Sequence, residues 1–411
     1  MTLPAAPWQQ APGMERLLAA LDATGGATRY VGGCVRDTLL GLPVSDVDLA
    51  TRLAPDDVIR RLRAARLKAI PTGIAHGTVT GVIDGGAPVE ITTLRRDVAT
   101  DGRRATIAYT DDWREDAARR DFTINALSAD PATGALFDYF DGLADLDSRR
   151  VRFIGDPLVR IAEDHLRILR FFRFHARFGD GPPDPDGIAA CAARANDLMA
   201  LSRERIADEL LKLLALPDPG TTVALMVAHR ILAPVLPEIG TEGVARLAGL
   251  PARERSAGVA PDAVRRLGAL LPADGEAAAA VAARLRLSNV SRKRLACIAD
   301  RGEAEGVDLR ADPRASAYRL GIACAVDRLL IGEALSSEAA AERIGRLESW
   351  VRPKLPVTGG MLIARGLTAG PAVARTLHAI ERDWVESGFP SDGALASIVE
   401  ARLAQALRES Q

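Results

Sequence analysis

Two aspartates one residue apart, in the stretch VSDVDLAT (44–51), are the side chains best placed in this sequence to do chemistry. In an extended strand alternate side chains point to the same face, so Asp46 and Asp48 are predicted to project together. Two neighbouring carboxylates repel each other unless a cation lies between them. Mg²⁺ favours such oxygen ligands, and substrate phosphates usually complete its shell. The pair therefore predicts a magnesium site that acts on a phosphate-bearing substrate.

A candidate phosphate site precedes the aspartates, in the stretch GGCVRD (32–37). Its glycines follow a predicted strand and begin a predicted helix, where free backbone amides bind phosphate. We expect Gly33 to contact a triphosphate through its backbone, and Arg36, one turn later, to add a charged fork. Most glycine pairs are only turns. Together with the aspartates that follow, however, this pair favours a combined phosphate and metal site.

Two further segments add candidates for the same site. Glu90 lies in a predicted hairpin strand, and it is either a third carboxylate facing the aspartates or a solvated strand glutamate. In ARRDFTINAL (118–127), Arg120 and Asp121 form either an exposed ion pair, which contributes little to stability, or contacts to nucleotide phosphate and ribose. Asn125 is a candidate donor to a sugar hydroxyl.

A charged helix is predicted for the stretch RIAEDHLRILRFFRFHARF (160–178). Residues three and four apart share a helical face. That face is predicted to carry Arg160, Glu163, Asp164 and Arg167, with Arg170 and Arg173 on the turns that follow. A salt-bridged surface helix would show the same spacing.

Base chemistry gives this helix a sharper interpretation. Cytosine and the Watson–Crick edge of adenine each present an amino donor beside a ring-nitrogen acceptor, whereas uracil and guanine present a carbonyl beside an N–H. A carboxylate accepts from the amino group, and an arginine donates to the ring nitrogen. Asp164 together with Arg167 is therefore predicted to select CTP and ATP and to reject UTP and GTP.

The composition limits the class of protein. A chain of 411 residues, 48% hydrophobic and 26% charged, is expected to form two to four globular domains. Its net charge of −1 means that nucleic-acid binding would need a local basic face. No apolar run is long enough for a membrane span, and the N-terminus lacks the pattern of a signal peptide. The four cysteines show no metal-ligand or redox spacing, so we expect a reducing, cytoplasmic location.

The elements that must position these residues change type near residue 155. Before it, β-branched runs and glycine turns predict strands, among them a hairpin over 77–94. A helix is predicted within 54–70, with Pro55 in its first turn. The charged stretch 95–113 is predicted to form a lid over the site. After residue 155 the pattern is helical almost to the last residue.

Seven stretches resemble, in order, the signature motifs of class II tRNA nucleotidyltransferases, the CCA-adding enzymes, which are related to bacterial poly(A) polymerases. These stretches, which cover residues 30 to about 215, are GGCVRD, DVDLAT, PTGIAHGTVT, RRDFTINAL, FDGLADL, EDHLRILRFFRFHARF and RIADELLKLL. A stretch that begins at Leu355, LPVTGGMLIARG, resembles the family's C-terminal RNA-binding region more loosely.

The resemblance implies an α+β fold, with a nucleotidyltransferase α/β head domain followed by an all-α neck, body and tail. The implied boundaries are 1–154 for the catalytic head, 155–215 for the base-selecting neck, 216–335 for the body and 336–411 for the tRNA-binding tail. The family's metal ligands correspond to Asp46 and Asp48. Its nucleotide-binding residues correspond to Gly33, Arg36, Arg120, Asp164, Arg167, Arg170 and Arg173, with Glu163 orienting an arginine.

The implied function is the addition of C, C and A to the 3′ end of tRNA from CTP and ATP, without a nucleic-acid template. The tRNA 3′-hydroxyl would attack the α-phosphorus with the help of two Mg²⁺ ions. Two alternatives stay open at this point. The chain could be a poly(A) polymerase or A-adding enzyme, or, in a different class, an RNA-binding scaffold with an inactive head. The sequence leaves the oligomeric state open.

A short basic run in SNVSRKRLACIAD (288–300) is a candidate contact for the tRNA. Arg292, Lys293 and Arg294 lie beside a predicted helix start and are expected to have no acidic partner. A solvated helix end is an equally good interpretation of so short a run.

Overall fold

The computed structural model describes residues 1–100, 105–300, 312–332 and 335–409. The chain divides into two compact units, Met1–Leu213 with Thr222–Pro237, and Leu214–Thr221 with Glu238–Gln411. The predicted fold class is confirmed, because an α/β part is followed by helices. The finer division into four domains stays a prediction.

The first unit is built on a mixed sheet of seven strands in the order β3-β4-β5-β2-β1-β8-β9, with a separate two-stranded ribbon of β6 and β7. The strands are β1 Thr28–Val31, β2 Val47–Thr51, β3 Lys68–Gly73, β4 Thr78–Val82, β5 Pro88–Thr93, β6 Arg95–Thr100, β7 Ala105–Tyr109, β8 Ser128–Ala129 and β9 Leu136–Phe137. The predicted hairpin is the antiparallel pair β4–β5. The pair β2–β5 is parallel, so these two strands run side by side from the same edge.

The first ten helices begin in the first unit or at its boundary. They are α1 Met14–Ala20, α2 Gly33–Leu39, α3 Pro55–Ala64, α4 Trp113–Ala118, α5 Gly142–Asp147, α6 Pro157–Glu163, α7 Arg167–Phe178, α8 Pro185–Ala193, α9 Arg203–Leu214 and α10 Gly220–Ala228. In α3, as predicted, proline occupies the first turn, and Asp56 and Asp57 follow it, where carboxylates complement the helix dipole.

An aromatic cluster fixes α7 against the α/β part of this unit. Phe122 is fully buried, and its ring centroid lies 5.0 Å from that of Phe153 and 5.2 Å from that of Phe174. Phe153 also stacks on Phe171 at 5.4 Å. Because Phe171 and Phe174 belong to α7, their packing sets how this helix presents its charged side chains.

The stretch predicted to form a lid contains the antiparallel ribbon of β6 and β7. Its central residues, 101–104, lie outside the described residues. The lid therefore stays a prediction.

In the described part of the second unit, the elements of regular secondary structure are all helices. Its helices are α11 Thr241–Ser256, α12 Ala263–Leu270, α13 Gly275–Arg284, α14 Asn289–Ala299, α15 Pro313–Leu320, α16 Ile322–Ile331, α17 Ser337–Glu348, α18 Gly359–Ala364, α19 Pro371–Glu386 and α20 Asp392–Glu409. One apolar cluster includes Leu250, Ile298 and Leu329. Another joins α15 to the last two helices through Tyr318 and Trp384.

A network of buried charges connects α11, α12 and α16. Arg266, with a fully buried side chain, donates to Glu254 at 2.7 Å and to the carbonyl oxygen of Leu214 at 2.7 Å. Arg265 lies between the same glutamate and Asp327, at 2.8 Å from each. Burial of charged groups is tolerated only where such pairing is complete.

The cysteines differ from expectation in one respect. Cys297 and Cys324, which are 27 residues apart, form a disulfide that joins α14 to α16. The sequence spacing did not reveal this pair, because only the packing of the two helices brings the residues together. Cys34 and Cys191 are free and buried. Within the described ranges, no helix is long and apolar enough to cross a membrane.

The charge network predicts a large effect of one neutral substitution. Glu254→Gln keeps the side-chain volume but leaves two buried arginines without a shared counter-charge, which should lower the free energy of unfolding by about 3–5 kcal/mol. Urea unfolding followed by circular dichroism measures this change. The control is Glu242→Gln on the same helix, whose side chain is 92% exposed and which should change stability by less than about 0.5 kcal/mol. Equal midpoints for the two variants would contradict the prediction.

Candidate active site

The two aspartates of the sequence pattern lie at the start of β2. Asp48 is within the strand and pairs in register with Glu90 of the parallel strand β5. Asp46 precedes the strand and is exposed, so the prediction that both lie in one strand was wrong by one residue. The reason lies in the partner strand β5. Its pairing with β2 begins at Val47 and Val89, so the residue that would pair with Asp46 is Pro88. A proline has no N–H to extend the ladder.

Three carboxylates act on one another at this strand pair. The pKa of Asp48 is raised to about 6, first by burial and then by the charges of Glu90 and Asp46, while Arg120 opposes the rise. Among the described residues, no group of three or more His, Cys, Asp or Glu side chains has the geometry of a complete metal site. The oxygen donors nevertheless fit a hard divalent cation whose shell is completed by phosphate and water.

A cavity of about 530 Å³ opens beside these aspartates and brings most of the predicted site residues together. It is lined by Gly32, Gly33, Arg36, Asp46, Asp48, Arg119, Arg120, Asp121, Asn125, Asp164, Arg167, Arg170 and Phe174. Glu90 lies in an adjoining cavity of about 160 Å³ that Asp48 also lines. Two other predicted residues, Glu163 and Arg173, do not line the larger cavity and contact its lining residues instead.

The glycine turn brings the backbone close to an arginine of the cavity wall. Gly32 has φ of +71°, a conformation that favours glycine, and it precedes the first residue of α2. A Cβ atom at this position would lie 2.8 Å from Nη1 of Arg120. The positive φ therefore favours glycine, a Cβ atom would also displace the end of the Arg120 side chain, and Gly33 begins the helix beside the cavity.

Arg36 is largely buried, and its guanidinium is held in a fixed orientation. It is only 5% exposed, and its Nε donates to Asp37 at 2.7 Å. Its Nη1 donates to Oδ1 of Asn125. The guanidinium also lies over the ring of Phe178, 4.1 Å from the centroid. These contacts leave the cation facing the cavity, as a phosphate contact requires.

Asp121 is the central acceptor of this wall. It accepts from the backbone N–H of Phe122 at 2.9 Å, from Nδ2 of Asn125 at 2.8 Å and from Nε of Arg170 at 2.8 Å. Burial alone would raise its pKa, but Arg170 and Asn125 more than compensate and lower it to about 2. Asp121 is thus ionised over the whole physiological range, and its oxygens are engaged by protein donors.

Asp116 of α4 is a site residue that the sequence analysis missed. It accepts from Arg119 at 2.9 Å and from Arg120 at 3.4 Å, and it is 3% exposed. Burial and the neighbouring arginines lower the pKa of Arg119 to about 10, although Asp116 opposes the shift. The signal was available, because an aspartate three and four residues before two arginines on a helix reaches both.

The helix predicted for 160–178 is broken, which corrects the interpretation of its charged face. The helix α6 ends at Glu163, Asp164 has an extended backbone with φ −151° and ψ 106°, and α7 begins at Arg167. The break follows from the aspartate itself, whose Oδ1 accepts from the backbone N–H of Leu166 at 3.1 Å. Such side-chain bonds compete with helical ones and favour helix starts.

The break still leaves Asp164 and Arg167 on the same cavity. Arg167 is held by three acceptors: Glu163 at 2.6 Å, the carbonyl oxygen of Arg160 at 3.0 Å and the carbonyl oxygen of Arg119 at 2.8 Å. Glu163 also pairs with the side chain of Arg160. This is the geometry expected of a glutamate that orients an arginine.

The helix α9 lies behind these residues and supplies two partners that the sequence analysis did not identify. Arg205 donates to both carboxylate oxygens of Asp164, at 3.0 and 2.8 Å. Glu209, one turn later, accepts from Arg173 at 2.6 Å and lies 3.7 Å from Arg170. Arg173 therefore has a structural partner and does not line the cavity, although its guanidinium lies over the ring of Phe174, which does.

The basic run at the start of α14 differs from expectation. Arg294 is half-buried and bridges two aspartates, donating to Asp327 at 2.8 Å and to Asp262 at 2.9 Å. The premise that it has no acidic partner was wrong, since its partners come from distant parts of the sequence. Arg292 and Lys293 are exposed.

Two family descriptions match the chain. The family described as the poly A polymerase head domain matches residues 28–152. The family described as the "Probable RNA and SrmB- binding site of polymerase A" matches residues 183–241.

Similar whole proteins and one similar crystal structure extend the match to most of the chain. The mitochondrial CCA tRNA nucleotidyltransferase 1 of Mus musculus is 33% identical over 381 residues, which cover 88% of this chain and 83% of that protein. The CCA-adding enzyme of Limosilactobacillus fermentum is 31% identical and covers 92% of this chain and 93% of its own. The crystal structure of the Bacillus stearothermophilus CCA-adding enzyme in complex with CTP is 27% identical, with a TM-score of 0.72 over 97% of this chain and 99% of that chain.

The raised pKa of Asp48 predicts a pH-dependent cost to stability. Its ordinary value is 3.8 and its folded value about 6, so ionisation disfavours folding, with no penalty below about pH 4 and the full penalty above about pH 6. Asp48→Asn should therefore stabilise the cation-free protein at pH 7.5 by up to about 3 kcal/mol, and should change little at pH 4.

Thermal unfolding in the presence of a chelator, at both pH values, measures this difference. The exposed Asp46→Asn is the control and should shift the midpoint less. A variant at Asp48 that is no more stable than the parent at pH 7.5 would overturn the prediction.

Proposed function

The chain belongs to the family of CCA-adding tRNA nucleotidyltransferases, and it adds C, C and A to the 3′ end of tRNA from CTP and ATP; we propose here which residues carry out this reaction. The proposal rests on the observation that the predicted site residues line one and the same cavity. They are Asp46, Asp48, Arg36, Asp164 and Arg167. Such a cavity places carboxylates for a cation, arginines for phosphate and a donor–acceptor pair for a base around one substrate.

Enzymes of this family use a divalent metal, and we propose that Mg²⁺ is held here by Asp46 and Asp48. Glu90 is proposed as the third carboxylate, because its position opposite Asp48 places it beside the same donors. When bound, the cations lower the pKa of the attacking tRNA hydroxyl and stabilise the leaving pyrophosphate. The chain itself contributes ionised oxygen ligands whose mutual repulsion favours cation binding.

The triphosphate is proposed to lie against the glycine turn and the arginines of the cavity. Arg36 faces the cavity with its orientation fixed by Asp37 and Asn125. The backbone of Gly33 and the guanidinium of Arg120 complete this wall. Asp121 accepts from Asn125 and Arg170, and Asn125 accepts from Arg36, so the two residues serve chiefly to orient donors toward phosphate and ribose.

Base selection is proposed for Asp164 and Arg167. The carboxylate would accept from the amino group of C or A, and the guanidinium would donate to the ring nitrogen. Glu163 orients Arg167, while Arg170 and Arg173 fix α7 through Asp121 and Glu209. Discrimination follows because U or G would set a carbonyl oxygen against the carboxylate and an N–H against the guanidinium.

The tRNA is proposed to contact Arg292 and Lys293 of α14. Arg294 is not proposed as a contact, because Asp262 and Asp327 already hold it. A cytoplasmic location is also proposed. The relatives include a mitochondrial and a bacterial enzyme, so the location needs its own measurement.

The proposal predicts the outcome of an incorporation experiment. Purified protein, Mg²⁺ and tRNA that lacks its 3′ CCA are incubated with each labelled nucleotide, and product lengths are resolved on a gel. The parent should add C, C and A, whereas Asp46→Asn and Asp48→Asn should each lower the rate at least about a thousandfold, because the cation ligands are incomplete.

The same variants should bind tRNA with unchanged affinity, since neither aspartate belongs to the proposed RNA contact. Near-parental rates in either variant would contradict the metal assignment. Addition of A alone, in long runs, would favour the poly(A) polymerase alternative, and no incorporation at all would favour the inactive scaffold.

A second prediction concerns the salt dependence of tRNA binding. Replacing Arg292 and Lys293 together by alanine should weaken binding and flatten the plot of log affinity against log salt by about two units, one for each lost phosphate contact. The control, Lys212→Ala on α9, removes an exposed cation that already pairs with Asp208 at 2.7 Å. An unchanged slope in the double variant would exclude this pair of residues as the contact.

A further inference from the structure

Arg205 contacts the proposed base-selecting carboxylate from outside the cavity. Its Nη2 lies 3.0 Å from Oδ1 and 2.8 Å from Oδ2 of Asp164, whereas Arg205 itself does not line the cavity. The two residues are 41 positions apart in the sequence, so the contact depends on how α9 packs. Arg205 therefore acts on a substrate only through another side chain.

The contacts of Asp164 determine which of its acceptor sites is left for a base. An ionised carboxylate has about four lone-pair sites, two on each oxygen. Oδ1 accepts from Arg205 and from the backbone N–H of Leu166 at 3.1 Å. Oδ2 accepts from Arg205 alone among the described donors, which leaves it one site. Arg205 thus fixes both the rotation of the carboxylate and the oxygen that is available to the substrate.

The position of Arg205 is set by a well-packed helix. In α9 the side chains of Ile206, Leu210 and Leu213 are 1%, 2% and 1% exposed. One turn after Arg205, Glu209 holds Arg173 at 2.6 Å. The helix therefore holds Asp164 through Arg205, and it holds α7, which carries Arg167, through Glu209 and Arg173.

Stability alone gives little reason for this arginine. The side chains of Arg205 and Asp164 are each 31% exposed, and ion pairs between partly exposed groups contribute little to the free energy of unfolding. The geometry instead serves orientation. Nη2 of Arg205 spans both carboxylate oxygens, and the rigid guanidinium plane gives this donor a fixed direction that restrains the rotation of the carboxylate.

We infer that Arg205 is a positioning residue for nucleotide selection, which holds Asp164 so that the carboxylate accepts from the amino group of cytosine or adenine. The inference rests on the proposed function, in which Asp164 contacts the base. Without Arg205 the carboxylate can rotate, and the acceptor required by C and A is no longer presented in one direction. Selectivity, rather than binding of the triphosphate or the tRNA, is then what is lost.

The experiment compares Arg205→Ala, Arg205→Lys and the parent in single-nucleotide addition to tRNA lacking CCA, with CTP and UTP measured separately. In Arg205→Ala the ratio of kcat/KM for CTP to that for UTP should fall at least about tenfold. Arg205→Lys should restore part of the ratio, since it keeps the charge but not the rigid plane that fixes the direction of Nη2. The control Lys212→Ala, on an exposed part of the same helix, should keep the parental ratio.

Two readouts separate positioning from general damage. The melting temperature of Arg205→Ala should stay within a few degrees of the parent, and KM for tRNA should be unchanged. In a background of Asp164→Ala, the further change Arg205→Ala should have no effect on the ratio, because its partner is already absent. Should Arg205→Ala fail to fold, the comparison of Arg205→Lys with the parent in both backgrounds provides the same test.

The outcomes distinguish this inference from the function on which it rests. A parental CTP to UTP ratio in folded Arg205→Ala, or an equal loss with and without Asp164, would overturn the inference alone. A parent that uses UTP as well as CTP would contradict base selection at this site, and with it both proposals. If Arg205→Ala lowers the ratio of kcat/KM for CTP to that for UTP only when Asp164 is present, the inference is supported.

Discussion

The buried carboxylate of Asp121 is the interaction on which the geometry of the site depends. Its partners come from its own loop and from α7, which it joins through the 2.8 Å bond from Arg170. The next residue, Phe122, is the centre of the aromatic cluster that packs the same helix. An ion pair and an apolar contact at adjacent positions thus fix α7, and with it Arg167, relative to the strand that carries the aspartates. With its pKa lowered to about 2, Asp121 keeps this role at any physiological pH.

Arginines in this site are held by protein acceptors before any substrate is present. Arg167 donates to two backbone carbonyl oxygens as well as to Glu163, so its direction depends on the main chain of two separate segments. Arg36 is fixed by an aspartate, an amide and an aromatic ring. A guanidinium has five N–H donors in a rigid plane, so some can be used for orientation while others face the cavity. Lysine, with one flexible ammonium, cannot divide its donors in this way.

Much of the site could be predicted because its residues lie in short local patterns. Asp48, Gly33, Arg36 and the RRD triplet each belong to one strand or one turn, where spacing alone sets the direction of a side chain, whereas Asp46 lies just before its strand. The break at Asp164 was not predicted, because the periodicity of 160–178 is helical and only the side-chain bond to Leu166 interrupts it. The partners of Arg294 were not predictable either, since they lie 32 and 33 residues away. The same holds for Arg205 and Glu209, whose roles depend on packing between helices.

The charges of the cavity explain why it suits a nucleotide bound to a cation. Near β2 burial raises the pKa of Asp48, the charges of Glu90 and Asp46 raise it further, and Arg120 opposes the rise. Several arginines line the same cavities, and burial together with the charges of Arg120 and Arg95 lowers the pKa of Arg119. The carboxylates near β2 are only partly compensated by Arg120, whereas the arginines have protein acceptors and still line the cavity. A divalent cation with a triphosphate supplies both counter-charges at once. The cavity should consequently bind the complex of cation and nucleotide more strongly than the separate affinities suggest, since each part relieves a repulsion that the other leaves in place.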